Sequence, residues 1–195
     1  MVSAAELAEL AKHVQGVLLI DEAYVDFIDP ALDYDLTPLL KDTPNLILLR
    51  SFSKGYSLAG LRCGYLLGHA GLIKPMLEKT RDSYNVDALT QVLALAAIED
   101  QDYARTNWQR VRDSRTALAA KLTQLGFDVP TSEANFVLAQ GSAGHALNCA
   151  QLYEALREQN LFVRYFSDLS DRLRISVGTP QENEKLLEAL TKLLA

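Results

Sequence analysis

Leu46-Ile47-Leu48-Leu49-Arg50-Ser51-Phe52-Ser53-Lys54-Gly55-Tyr56-Ser57-Leu58-Ala59-Gly60-Leu61-Arg62 is the stretch whose reading decides the fold. Its first four residues are a continuous apolar run, the pattern of a strand covered on both faces. The residues that follow set two hydroxyls, an amine and a guanidinium among small residues just past the strand. Hydroxyls and an arginine fork suit a phosphate group, and Gly55 and Gly60 let the backbone come close to it. A lysine in such a turn can be partly desolvated, and desolvation lowers an amine's pKa from about 10.4 and frees a neutral amine to attack an aldehyde. The bland alternative is a solvated loop lysine with a surface arginine. A nucleotide-binding loop does not fit, because no G-x-x-x-x-G-K-[ST] occurs and Lys54 precedes the glycines.

Working outward, Val17-Leu18-Leu19-Ile20 is a second apolar run, stopped by Asp21-Glu22, and Gly64-Tyr65-Leu66-Leu67-Gly68 is a third. The runs at 17–20 and 46–49 both read as strands covered on both faces. Strands alternating with helical periodicity imply a mostly parallel α/β sheet, whose ligands bind beyond the carboxyl ends of the strands. Asp21 sits at such an end, with Tyr24 three residues on. A buried carboxylate there is the partner a protonated pyridine nitrogen needs, and a phenol nearby can donate to a phenolic oxygen on the same ring. Alone, an acid ending a strand is as readily a solvated turn; together with the lysine stretch the two signals reinforce each other.

Ser3 and Glu6 have the spacing of a capping box, followed by Leu7, Leu10, Ala11 and Val14 at helical period. Asp87 can cap a helix over residues 88–98, and an amphipathic segment over residues 103–125 ends at Gly126. The pattern then reads strand (135–139), helix (146–158), strand (162–165), strand (173–177) and helix (182–194), an α+β lobe. We therefore expect a division into residues 1–102 and 103–195, with the long helix as the bridge. Tyr56, Tyr65, Trp108 and Tyr153 read as core, and Arg172, beside Asp171, as a surface residue. Tyr84, Asn85 and Asn135 are equally explained by turns and packing.

Composition excludes several classes. Of 195 residues, 49% are hydrophobic and 23% charged, the usage of a soluble globular protein, and no apolar run approaches the roughly 20 residues of a membrane span. A formal charge of -6 gives no electrostatic footprint for nucleic acid. Cys63 and Cys149 form no C-x-x-C pattern, so neither a metal site nor a disulfide framework is expected, and the compartment reads as the cytoplasm. No signal peptide opens the chain. A chain that begins almost directly on a capped helix reads as cut from something longer.

The segments Leu19-Ile20-Asp21-Glu22-Ala23-Tyr24-Val25-Asp26-Phe27 and Ser51-Phe52-Ser53-Lys54, continuing through Leu58-Ala59-Gly60-Leu61-Arg62-Cys63-Gly64-Tyr65, resemble fold-type I, class II pyridoxal-phosphate aminotransferases, and among them the histidinol-phosphate aminotransferase subfamily. The resemblance spans nearly the whole chain. It continues through Tyr84-Asn85-Val86, Glu133-Ala134-Asn135-Phe136, Val163-Arg164 and Leu173-Arg174-Ile175-Ser176-Val177-Gly178-Thr179. It implies an aspartate aminotransferase-like architecture: part of a large cofactor-binding domain, then a small α+β carboxyl-terminal domain. It further implies that Lys54 bonds to the aldehyde of pyridoxal 5'-phosphate and shuttles the proton at the substrate α-carbon. Asp21 would pair with the pyridine nitrogen, Tyr24 would contact the phenolic oxygen, and Ser51, Ser53 and Arg62 would hold the phosphate. Arg174 matches an arginine that grips the substrate carboxylate, and Arg164 one that holds the phosphate of histidinol phosphate. The partners implied are an amino-group donor, a 2-oxo acid and a second subunit of a homodimer.

The chain also departs from that family. Members are much longer, and the loop with further phosphate donors, the aromatic that stacks on the ring, the P-N-N-P-T-G segment and a tyrosine lent by the partner subunit have no counterpart here. Three readings stand beside the leading one: an aromatic aminotransferase, a threonine-phosphate decarboxylase, and a non-catalytic piece that folds and dimerises.

Overall fold

The computed structural model describes residues 2–142, 144–166, 168–169 and 172–194, and all that follows concerns these. The protein is of mixed α/β type and divides into two compact units, residues 1–106 and 107–195.

In the first unit α1 (Ala4–His13) begins at the expected capping box: Ser3 Oγ accepts from the Glu6 amide at 3.3 Å, and Glu6 Oε2 accepts from the Ser3 amide at 2.8 Å. Reciprocal capping satisfies two amides that the first turn leaves without helical partners. The helix buries Leu7 and Ala11. β1 (Leu18–Asp21) pairs in parallel with β2 (Leu46–Ser51), Leu18 opposite Leu46 and Asp21 opposite Leu49. Between them run three short 3-10 turns, Val25–Phe27, Pro30–Leu32 and Thr37–Lys41. β3 (Gly64–Gly68) lies on the other side of β2 and is antiparallel to it.

Two expectations are corrected here. The sheet is not mostly parallel: one of its two pairings is antiparallel. Residues 52–63 contain only the 3-10 turn Ala59–Leu61 and no crossover helix, so the chain doubles back beside β2. Nor is β1 covered on both faces. It is an edge strand whose residues alternate, and Leu19 is 50% exposed, whereas Leu46, Ile47 and Leu48 of the central β2 are buried. Leu7, Leu36, Leu46 and Leu48 form the core of this unit.

α2 (Ala70–Lys79) and α3 (Ala88–Glu99) follow, the latter starting where Asp87 accepts from the Thr90 amide at 2.9 Å. α4 (Gln101–Gln124) runs from the first unit into the second and ends before Gly126, which takes the left-handed backbone (φ 89°) expected of a glycine stop.

The second unit holds β4 (Phe136–Gln140), α5 (Cys149–Glu158), β5 (Arg164–Tyr165), β6 (Arg172–Ser176) and α6 (Pro180–Leu194). Its sheet has the order β4-β6-β5, antiparallel throughout. Leu118, Leu122, Val137, Leu152, Leu156 and Leu173 are among the residues that close a well-filled core. α5 starts three residues later than the periodicity suggests, because Asn148 and Gln151 make a capping box that fixes the first turn. β5 is cut to two residues at the sheet edge. Arg172 is half-buried and donates to Gln140 Oε1 at 3.1 Å, so it is not a free surface charge; Asp171 lies outside the described residues. Tyr56, Tyr65, Trp108 and Tyr153 are half-buried rather than core. No described helix is long and apolar enough to cross a membrane, and the described residues hold no cluster of His, Cys, Asp and Glu suited to a metal.

Candidate active site

Because β1 and β2 run in parallel, their carboxyl ends emerge at one edge of the sheet. Asp21 is the last residue of β1 and faces Leu49, two residues before Ser51. The burial expected of the Asp21 carboxylate is not found: β1 is an edge strand, so Asp21 is exposed on its open face with Leu19, and its Oδ1 accepts from the Ala23 amide at 3.0 Å. That bond shapes the turn that carries Tyr24. The Nζ of Lys54 lies over the Tyr24 ring, 5.9 Å from its centroid.

The loop bearing Lys54 is closed by backbone bonds from Phe52 N to the Cys63 carbonyl (3.2 Å) and from Leu58 N to the Phe52 carbonyl (3.0 Å). Phe52 is buried and its ring meets those of Tyr56 (5.2 Å) and Tyr65 (5.6 Å), which anchors the loop to the sheet. Inside it Ser57 N donates to the Lys54 carbonyl at 3.1 Å. Ser57 and Arg62 both have left-handed backbone (φ 57° and 53°), a conformation that costs a residue with a side chain about 1–2 kcal/mol and tends to gather at working sites. Ser51 Oγ accepts from the Ser53 amide at 3.0 Å, which leaves its own proton to give away, and Arg62 Nη1 donates to the Ala59 carbonyl at 3.0 Å.

Asp21, Tyr24, Ser51, Ser53, Lys54 and Arg62 thus all belong to the first unit, on one strand edge and the loop beyond it. Arg164 and Arg174 belong to the second unit and are Cα partners across β5 and β6. Directly opposed residues share a sheet face, where two like charges repel unless an anion joins them. The Arg174 guanidinium also lies 4.0 Å from the centroid of the Phe136 ring.

Sequence reasoning missed a buried charged group behind the lysine loop. Glu22 is only 5% exposed and accepts from Arg50 Nε at 2.8 Å, while its Oε1 is buried without a hydrogen-bond partner among the described residues. Asp26, in the Val25–Phe27 turn, has its pKa pushed up to about 6: burial is the main cause, the charge of Arg50 pulls against it, and that of Glu22 adds to it. Burial also raises the phenol of Tyr56, against a hydrogen bond from Gln101. The available signal was Arg50, a charge breaking an apolar strand just before Ser51.

Among known proteins, the family model described as "Aminotransferase class I and II" matches residues 1–190. "Histidinol-phosphate aminotransferase 1" of Nostoc sp. strain PCC 7120 is 48% identical over 191 residues, covering 97% of this chain and 52% of that protein. The crystal structure of histidinol-phosphate aminotransferase from Sinorhizobium meliloti in complex with pyridoxal-5'-phosphate superposes with a TM-score of 0.84 at 26% identity, over 99% of this chain and 53% of that one. L-threonine-O-3-phosphate decarboxylase from Porphyromonas gingivalis gives a TM-score of 0.74 at 26% identity, over 100% of this chain and 60% of that one. The chain spans about half the length of the curated relatives it matches.

Proposed function

The chain belongs to the class I and II aminotransferase family, and from that premise we propose that it carries the lysine-bearing portion of a pyridoxal-phosphate enzyme moving an amino group between histidinol phosphate and 2-oxoglutarate. The observation that carries this reading is the Lys54 amine set against the Tyr24 ring, on the loop beyond the carboxyl ends of two parallel strands. The donor set fits the cofactor: an amine for the aldehyde, hydroxyls and a guanidinium for the phosphate, a carboxylate for the ring nitrogen and a phenol for the ring oxygen.

When bound, pyridoxal phosphate supplies an electron sink for the charge that develops at the substrate α-carbon. The residues of this chain do the rest. Ser51, Ser53 and Arg62 bind the phosphate, Asp21 pairs with the ring nitrogen, and Tyr24 donates to the ring oxygen. Lys54 would hold the aldehyde through its amine and, freed when the substrate amine takes its place, would move the proton at the α-carbon. Arg174 would bind the substrate carboxylate and Arg164 the substrate phosphate. In this reading residues 1–102 are part of a large cofactor domain and residues 103–195 a small domain, and the working enzyme is a cytoplasmic homodimer.

Trapping with borohydride tests the reading. In the full-length protein Lys54 should take up pyridoxal phosphate as a reducible, coloured adduct ahead of the other lysines, and Lys54→Ala should lose the colour, whereas the 195-residue chain alone should bind the cofactor weakly and show no turnover. Colour that survives Lys54→Ala sinks it. The similarity to the threonine-phosphate decarboxylase favours a second reading, a decarboxylase of a phosphorylated amino acid. Product analysis separates them: the aminotransferase reading requires that the donor keep every carbon and that 2-oxoglutarate be consumed, whereas release of carbon dioxide supports the decarboxylase.

A further inference from the structure

Gly55, directly after Lys54, is buried, and its backbone is not in the left-handed region. Torsion therefore does not explain a glycine there; space does. A Cβ built on Gly55 would lie 2.6 Å from Asp26 Cβ and closer still to the Asp26 carboxyl, inside any real contact distance. Asp26 thus fills the place a side chain at position 55 would occupy. Its own seat is fixed: Phe27 beside it is buried in the same 3-10 turn, and the charged and titratable groups facing it are Arg50, Glu22 and Tyr56, of which Arg50 is bonded to Glu22.

We propose that Asp26 is a positioning residue for Lys54, its carboxyl seated on Gly55 so that the turn presenting the amine is held from behind. Asp26 acts through the backbone and touches neither cofactor nor substrate. The inference rests on the reading of Lys54 as the cofactor lysine for its purpose, though not for its geometry.

The test follows reductive methylation of the 195-residue chain by formaldehyde and cyanoborohydride, with rates at Lys54, Lys74 and Lys79 resolved by peptide mass spectrometry. Removing the brace lets the turn open locally, so Asp26→Ala should raise the Lys54 rate at least about threefold with Lys74 and Lys79 unchanged. Asp26→Asn keeps the shape and should stay near wild type. Gly55→Ala should release Lys54 through overlap with Asp26, and adding Asp26→Gly, which removes the Cβ as well as the carboxyl, should reverse much of that release by vacating the space. An unchanged Lys54 rate in Asp26→Ala overturns the proposal, as does a double variant no closer to wild type than Gly55→Ala. Should all three lysines speed up in Asp26→Ala, Asp26→Ser is compared in its place; a rise shared by all three lysines there too makes Asp26 a general folding residue and overturns the proposal. A parallel arm with pyridoxal phosphate and borohydride on the full-length protein keeps the two readings apart: failure of wild-type Lys54 to trap pyridoxal phosphate there removes the cofactor role while the methylation result still decides on Asp26.

Discussion

Asp26 lies near the Arg50–Glu22 ion pair, and its burial outweighs the pull of the Arg50 charge, with the charge of Glu22 adding to the rise. Burial raises Asp26 from 3.8 to about 6, so the folded state favours its protonated form. The stabilising contribution is therefore fully present below pH 3.8 and is lost as pH rises through about 6. Asp26→Asn removes the titration. Its stability relative to wild type should improve across that window and then level off, by about 1–2 kcal/mol once the water that reaches part of the carboxyl is allowed for. Urea unfolding at a series of pH values checks this, and parallel curves for the two proteins would contradict it. Glu22 and Arg50 predict a larger effect. Arg50→Met strands a carboxylate that is only 2% exposed at its side chain and should cost about 3–5 kcal/mol, with Glu22→Gln in the same chain recovering much of it. The Lys54 motif was legible in the sequence because its chemistry is local: hydroxyls, amine, glycines and arginine lie within a single short stretch. Asp26 was not, because its role exists only through the approach of a turn far upstream to Gly55.

Helix ends were the most legible elements, since a cap is a short-range arrangement of one side chain and a few amides. Ser3 with Glu6, Asp87 and Gly126 each marked an end that the fold uses. The start of α5 was missed although the same signal was present, because Asn148 and Gln151 lie inside a segment that is helical in periodicity from residue 146. Asn148→Ala should destabilise the second unit by about 1 kcal/mol, the usual worth of such a cap, while Leu152→Ala, at a fully buried position of the same helix, should cost about 2–5 kcal/mol. Equal losses in urea unfolding would contradict the separation of cap from core. Strand direction was not legible. An apolar run such as Gly64-Tyr65-Leu66-Leu67-Gly68 carries no arrow, and the reversal of β3 depends on residues 52–63 lacking a helix.

At the scale of the molecule, apolar surface is distributed unevenly between the two units. In the second, α5, α6, the sheet and the end of α4 close over a core whose largest members are shielded from water. In the first, the core cluster is small, and α3 leaves Leu89 (68%), Val92 (63%) and Leu95 (56%) exposed. An apolar face of that kind promotes association and leaves the unit that bears it with little burial to resist opening. The class of fold was legible because the alternation of apolar runs and caps is spread along the whole chain; this imbalance was not, since α3 is apolar nearly all round and periodicity alone does not say which face is covered. A polypeptide of residues 101–195, which keeps α4 whole, should therefore unfold in urea as one cooperative transition. The 195-residue chain should show two transitions, the first accompanied by loss of the Phe52, Tyr56 and Tyr65 ring environment in the near-ultraviolet, and it should self-associate as concentration rises. Val92→Lys with Leu95→Glu should reduce that association in sedimentation without moving the second transition, because neither residue belongs to the second unit. A single transition in the 195-residue chain, or association indifferent to both substitutions, would mean that the exposed face of α3 governs neither its stability nor its solution behaviour.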